Sequence, residues 1–313
     1  MTARATETVD EFESHRPRMF GLAYRMLGSA EEAEDVVQDA FLRWNGADRD
    51  GIDRPGAWLA KVITNLCLNR LTSARAQRER YTGPWLPEPV VTESGALGPL
   101  ESAEQRDAVS TALLVLLERL TPTERAVYVL REAFAYSHRE IAGVLDVSEA
   151  NSRQLYRRAA ARIAAPENRL RAEVEEARLR ELVKSFITAS QEGDLAGLEK
   201  LLTADVTFCS DGGGAVRAAL RPIEGRDKVL RFLTGPSVRA VASMRLDVVE
   251  INGAPALVAR AGDTLVATAS FEVRGGAIAV IRSVLSPAKL AFVERQLTEG
   301  GQGWSPSGAP VGP

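Results

Sequence analysis

Between Ser29 and Trp44 the apolar residues Ala33, Val36, Val37, Ala40, Phe41 and Trp44 recur at steps of three and four. That spacing puts their side chains on one face of a helix. Ser29 and Glu32 have the spacing of a capping box that would start it. Asp35, Gln38 and Asp39 fall off the apolar face and predict an acidic exposed stripe. A second helix is predicted over residues 55–74, with Trp58, Leu59, Val62, Ile63, Leu66 and Leu71 inward and Lys61, Asn65, Asn69 and Arg70 outward.

Residues 76–104 read as a linker, broken by Pro84, Pro87 and Pro89, which stiffen a chain toward an extended form. Trp85, Leu86, Val90 and Val91 do not suit a merely solvated linker. Helical patterning resumes near Leu100. Thr121-Pro122-Thr123-Glu124 combines a cap, a proline at the first helical position and a capping-box glutamate. Ser137-His138-Arg139-Glu140 repeats the box, and Ser148 caps a third helix after a short break. Such a succession is the helix-turn-helix pattern. In its last helix Leu155, Ala159 and Ile163 recur every fourth residue and must face the core. At ~100° per residue, Arg153, Gln154 and Arg157 then fall on the opposite face, with Asn151 and Arg158 on its flank. Arg and Gln there can reach base edges, and the following arginines suit phosphates.

From residue 172 the pattern changes. A long helix over 173–194 and a short one over 195–202 precede a strand over 205–210, a glycine-rich loop at Asp211–Val216 and a helix near 225–233. Alternating runs over 244–251, 255–261, 264–273 and 277–285 are separated by Asn252-Gly253, Ala261-Gly262-Asp263 and Gly275-Gly276, which are hairpin signals. Helices followed by a meander imply an α+β domain with a curved antiparallel sheet. The expected organisation is an all-α domain over 8–75, the linker over 76–104, a helix-turn-helix domain over 105–166, the α+β domain over 172–297 and a disordered tail over 298–313.

Charge sharpens this picture. The chain of 313 residues carries a net charge of −3, yet its basic residues cluster. Residues 54–80 hold Arg54, Lys61, Arg70, Arg75, Arg78 and Arg80 against Glu79, and residues 149–171 hold six arginines against Glu149 and Glu167. Two basic blocks in an acidic protein point to localised contact with a polyanion. His15, His138, Cys67 and Cys209 show no ligand spacing, so neither a metal nor a cofactor is expected. The separated cysteines suit a reducing cytoplasm. The first residues lack the apolar core of a secretory signal, and no apolar run approaches the ~20 residues of a membrane span.

Residues 10–165 resemble the extracytoplasmic-function type of bacterial sigma factor. AEDVVQDAFLRW is similar to the region that docks on the clamp helices of the RNA polymerase β′ subunit. RPGAWLAKVITNLCLNRL resembles the region that melts and reads the −10 promoter element, and the helix-turn-helix resembles the reader of the −35 element. The resemblance implies that Asp35, Gln38 and Asp39 bind polymerase, and that Lys61, Asn65, Asn69, Arg70, Asn151, Arg153, Gln154, Arg157 and Arg158 bind promoter DNA. Asn65 matches an asparagine that lines a pocket for a flipped-out base; its amide supplies both a donor and an acceptor. Ser152 stands where the family often has valine or threonine, and Leu155 where it often has arginine.

The third segment resembles a SnoaL-like domain, a cone-shaped α+β fold, found as a C-terminal extension in a subgroup of these sigma factors. That subgroup has a W-L-P-E-P motif, matched by Trp85, Leu86, Pro87, Glu88 and Pro89, and a D-G-G-G motif, matched by Asp211, Gly212, Gly213 and Gly214. Ser286-Pro287-Ala288-Lys289-Leu290 is a degenerate match to a third, N-P-D-K-L-type motif, and Ala215 replaces a common lysine. The resemblance implies regulation in cis by the extension. We expect the Trp85 segment to act as a latch on the D-G-G-G loop, whose glycines would admit the indole closely and whose Asp211 would accept its N–H. It would join two DNA-reading domains that a promoter holds apart.

Two other readings fit parts of the chain. An enzyme would use the cone, but no histidine follows His138, which leaves Asp205, Asp211 and Asp263 as carboxylates. A helix-turn-helix repressor would leave the acidic stripe and the 55–74 helix without a role. A small ligand in the cone is compatible with every reading.

Overall fold

The computed structural model describes residues 2–48, 51–78, 81–93, 109–165, 175–235 and 244–300. Linker residues 79–80 and 94–104, together with Arg169, Arg171 and the tail from residue 301, lie outside the described residues.

Among the described residues the first unit holds α1 (Thr2–Leu27), α2 (Ala30–Asn45) and α3 (Pro55–Arg78). Ser29 caps α2 by accepting the Glu32 N–H, and Ala33, Val36, Val37, Ala40 and Trp44 are buried as the periodicity predicts. Trp44 and Trp58 tie α2 to α3 with ring centroids 5.6 Å apart. Fully burying an aliphatic side chain such as Val36 or Val37 is worth about 1.5–3 kcal/mol.

The second unit holds α4 (Thr111–Leu117), α5 (Pro122–Glu132), α6 (His138–Leu145) and α7 (Glu149–Ile163). Both predicted capping boxes form, Thr121 with Glu124 and Ser137 with Glu140. Asp146 ends α6 in the left-handed region (φ 53°) and turns the chain into α7.

The third unit has α8 (Glu176–Glu192), α9 (Leu195–Leu201), β1 (Leu202–Asp211), β2 (Ile223–Glu224), α10 (Arg226–Leu233), β3 (Arg245–Ile251), β4 (Ala254–Ala261), β5 (Thr264–Arg274), β6 (Ala277–Val284) and α11 (Pro287–Gly300). Its sheet has the order β2-β1-β6-β5-β4-β3. Asn252-Gly253 (φ 54° and 72°) and Gly275-Gly276 (φ 60° and 82°) turn the hairpins β3–β4 and β5–β6, since two successive positive-φ positions match the strand twist. The sheet is mixed, not wholly antiparallel: β1 lies parallel to β6. Alternation along β1 reports which face each side chain takes and is silent about strand direction. The sequence pattern does not predict helix α11, which runs three residues into the expected tail.

The sheet's two faces have different partners. Val183, Phe186, Ile187, Phe208, Leu257 and Phe271 fill the side under α8–α10. On the other side Leu290 and Val293 of α11 pack with Val258, Leu265 and Val284, joined by Leu86 and Val91 of the linker. The two all-α units are not apart. Their buried residues form one continuous core that also takes in Val90 and Phe292.

Candidate functional site

On α7, Ser152, Leu155 and Ala159 are buried, and Asn151, Arg153, Gln154, Arg157 and Arg158 are exposed. The Ser148 hydroxyl accepts the Asn151 N–H at 3.1 Å. Ser152 is wholly enclosed, with its Oγ 3.1 Å from His138 Nδ1. Ser152 therefore serves the α6–α7 contact, and Leu155 joins the core of the sigma units. Arg153 pairs with Glu149 one turn back. Arg158 and Arg162 reach the buried Glu124 at 3.4 and 2.6 Å, so Arg158 braces α7 against α5.

Lys61, Asn65 and Asn69 sit four residues apart along α3; Asn65 is half-buried and Asn69 exposed. Lys61 Nζ donates to Gly143 O and to Asp146 Oδ1, both at 3.0 Å, at the end of α6. Arg54 approaches Glu140 at 3.6 Å on the same seam. Arg70 meets Asp39 at 3.0 Å and Asp35 at 3.4 Å. One predicted DNA residue is thus paired to two predicted polymerase residues. Exposed pairs of this kind are worth about 0.2–1 kcal/mol each, little enough to exchange for another partner. Gln38 is exposed, and Leu42, 63% exposed, extends the stripe of Asp35 and Gln38 by one turn. The periodicity had set Leu42 off the buried face without marking it as a contact.

Residues 84–92 run between the first and third units. On one side the Glu88 carboxylate caps α2: it accepts Ser29 Oγ at 2.8 Å and the N–H groups of Ala30 and Glu31 at 2.7 and 3.1 Å. An anion at a helix N-terminus is favoured by the unpaired N–H groups there. Burial pushes the Glu88 carboxyl above the usual range, opposed by those donors and by Lys289. The Glu88 N–H donates to Gly28 O at 2.9 Å, and its carbonyl accepts the Tyr24 hydroxyl at 2.6 Å.

On the other side the Asp211 carboxylate accepts four hydrogen bonds from described residues. Tyr81 Oη and the Gly213 N–H reach Oδ1 at 2.6 and 3.0 Å, and the Leu86 N–H and Lys289 Nζ reach Oδ2 at 2.8 and 2.7 Å. Lys289 also donates to Leu86 O at 2.6 Å and lies over the Trp85 and Tyr81 rings, 4.2 and 4.8 Å from their centroids. The motif segment and the D-G-G-G loop therefore meet, with Leu86 N–H, Tyr81 and Lys289 on the aspartate. The expected role of the loop glycines is not what is found. The glycine that admits the indole is Gly28, where a Cβ would lie 2.8 Å from Trp85 Cη2. Gly212 and Gly213 are required instead by the loop's own closeness to Val216 O and Ser286 Oγ, 2.2 and 2.5 Å from a Cβ built there.

Asn252 was read only as a turn residue, yet it is 2% exposed. Its Nδ2 donates to Tyr24 Oη at 2.6 Å and to Val109 O at 2.9 Å, and its backbone N–H donates to Val90 O at 2.9 Å. One amide thereby touches all three units' chain segments. Gln296 of α11 grips both polar groups of Val91, at 2.9 and 3.2 Å. Only long-range structure reveals these partners; an Asn-Gly pair has the same local signature whether its turn is wet or buried.

The remaining candidate carboxylates are placed otherwise. Asp205 is exposed and pairs with Arg274, and Asp263 lies in an exposed turn. Among the described residues no group of His, Cys, Asp and Glu could hold a metal, and no described helix is long and apolar enough to cross a membrane.

Residues 12–77 match the family Sigma-70 region 2, and residues 110–163 match Sigma-70, region 4. The ECF RNA polymerase sigma factor SigJ of Mycobacterium tuberculosis is 42% identical over 227 residues, 72% of each chain. SigI of the same organism, which carries the name probable ECF RNA polymerase sigma factor, is 32% identical over 92% of this chain and 97% of its own. The crystal structure of M. tuberculosis SigJ aligns with a TM-score of 0.71 at 34% identity, covering 91% of this chain and 98% of that one, and so reaches beyond the two sigma regions. With both sigma regions in order and likeness continuing through the C-terminal α+β unit, the chain belongs to the ECF RNA polymerase sigma factors.

Proposed function

We propose that this sigma factor directs polymerase core to promoters under the control of its own C-terminal domain, through the latch at residues 84–92. In this reading Asp35, Gln38 and Asp39, with Leu42, dock on the β′ clamp helices. Lys61, Asn65, Asn69 and Arg70 work at the −10 element. Asn151, Arg153, Gln154 and Arg157 read the −35 element, and Arg158 mainly holds their helix. Trp85–Pro89 and Asp211–Gly214 regulate.

The observation that carries cis control is the two-sided bonding of the latch, with Glu88 on the α2 N-terminus and Leu86 on Asp211 and Lys289. The packed arrangement also occupies Lys61 with the end of α6, so the domains must part before both can lie on one promoter. The C-terminal domain then acts as a restraint. No catalytic step is assigned to it: Asp211 is held by a lysine, and the sheet's helix-covered face is filled by aromatic and aliphatic side chains.

In vitro transcription with core polymerase tests this. Asp211→Asn should raise initiation by the full chain severalfold, and Trp85→Ala should do so in the full chain but not in a truncation at residue 166. Unchanged or lower initiation by Asp211→Asn would remove the restraint from the account.

A further inference from the structure

The junction of the two sigma units and the latch forms a cavity of about 630 Å³ that opens to solvent, within the size range of small-molecule sites. Leu71 of α3, Trp85 of the latch and Val115 of α4 give it apolar walls, and Arg119, Arg125 and Arg162 line it together with Glu118. Arg125 is the informative member. Its side chain is 2% exposed. Nε donates to Arg25 O at 3.1 Å and Nη1 pairs with Glu118, but Nη2 is buried with no hydrogen-bond partner among the described residues.

A guanidinium stays protonated at any working pH, and buried donors are almost always satisfied by protein, water or ligand. The carboxylates at hand are already engaged, Glu118 with Arg125 and Glu124 with Arg158 and Arg162. Among the described residues that line the cavity, Glu118 is the one carboxylate beside three guanidinium groups, an indole and aliphatic walls. We propose that this cavity binds a small amphiphilic organic anion, with a carboxylate-type head at Arg125 and Arg119 and an apolar body along Leu71, Trp85 and Val115.

The walls come from three parts of the chain, so the site is whole only while the sigma units are packed together. A ligand that binds the packed form better than the open one stabilises it by that difference. This consequence rests on the proposed reading that initiation requires the units to part; binding itself does not.

The probe is decanoate, titrated calorimetrically into the full chain, with decanol and inorganic phosphate as separate arms. One saturable site is expected, with decanol and phosphate at least tenfold weaker. Val115→Trp, which fills the cavity, and Arg119→Glu, which reverses a charge, should each weaken decanoate at least tenfold, and thermal melting checks that both variants fold. Absence of saturable binding, equal binding of decanol or phosphate, or indifference to Val115→Trp would overturn the site. Saturating decanoate should also lower initiation by the wild-type chain severalfold and leave Val115→Trp unaffected. Intact binding without that effect would overturn the coupling to opening while leaving the site in place.

Discussion

Asp211 presents no side-chain surface to solvent, and Lys289 presents 9%. Removing one partner from such a pair leaves the other charge buried, which costs more than the pair contributes. Asp211→Asn should therefore destabilise the C-terminal unit by about 3–5 kcal/mol, read from the denaturant midpoint of the full chain, whereas Asp205→Asn on the exposed pair should cost under about 1 kcal/mol. Gly28 makes a second residue-scale case. It has φ 69°, and the Trp85 indole occupies the place of a Cβ. Gly28→Ala should lower stability by at least about 1 kcal/mol from the backbone alone, and less so in a Trp85→Ala background; equal costs in both would mean the indole does not press there. Glu88 gives the pH dependence. Burial lifts its carboxyl, so the folded chain keeps this proton to higher pH than the unfolded chain does. Its stabilising contribution is complete below the ordinary glutamate value near 4.3 and is lost as pH rises through the folded value. Unfolding free energies of wild type and Glu88→Gln, compared from about pH 4 upward, should move against the wild type and then level off; a difference constant with pH would place the Glu88 carboxyl at its unfolded value.

At the scale of elements, α7 separates the arginines proposed to read DNA from those that brace the helix. Arg153 and Arg157 point outward, while Arg158 and Arg162 bind Glu124 beneath the helix. Changing Arg153 and Arg157 together to alanine should reduce holoenzyme affinity for the promoter by tenfold or more, with a shallower salt dependence, because base and phosphate contacts are lost. Unaltered binding in a salt titration would withdraw these residues from the −35 contact. Helices such as α2 and α7 could be read from the sequence because caps and periodicity are local: Ser29 meets Glu32 three residues on, and Ser148 meets Asn151. The α2 acidic stripe and the outward arginines followed from the same arithmetic. Strand β1's direction, helix α11 and the partners of the latch could not be read this way. Leu86 finds Asp211 across 125 residues, and Asn252 finds Tyr24 across 228. The D-G-G-G loop and the Trp85 segment were matched by motif and by the oddity of an indole among prolines. Nothing in the local sequence marks Gly28 as the glycine that receives that indole.

For the whole molecule, on the reading proposed above, the latch decides how far the sigma units stand apart. Its two faces act in series: Glu88 fixes it to α2, and Asp211 with Lys289 fixes it to the C-terminal unit. Direct contacts between the sigma units add to this, with Lys61 on Asp146, Arg54 near Glu140 and Arg125 on Arg25 O. The first two are exposed pairs of small worth, so the buried seam and the latch must supply most of the hold. A compact chain of this length has a radius of gyration of about 20 Å, and a parted one is larger. Small-angle scattering on the full chain should therefore give about 20 Å for the wild type and a larger value when Glu88→Ala and Asp211→Asn are combined. Each single change should give nearly the value of the double variant, because two holds in series fail when either one does. High salt shortens the Debye length and weakens exposed pairs far more than buried ones, so it should widen the double variant further and leave the wild type almost unchanged. If the double variant stays as compact as the wild type, the buried seam between α1, α3 and α5 holds the closed form unaided. The C-terminal domain would then have to act on promoter choice by a route other than spacing.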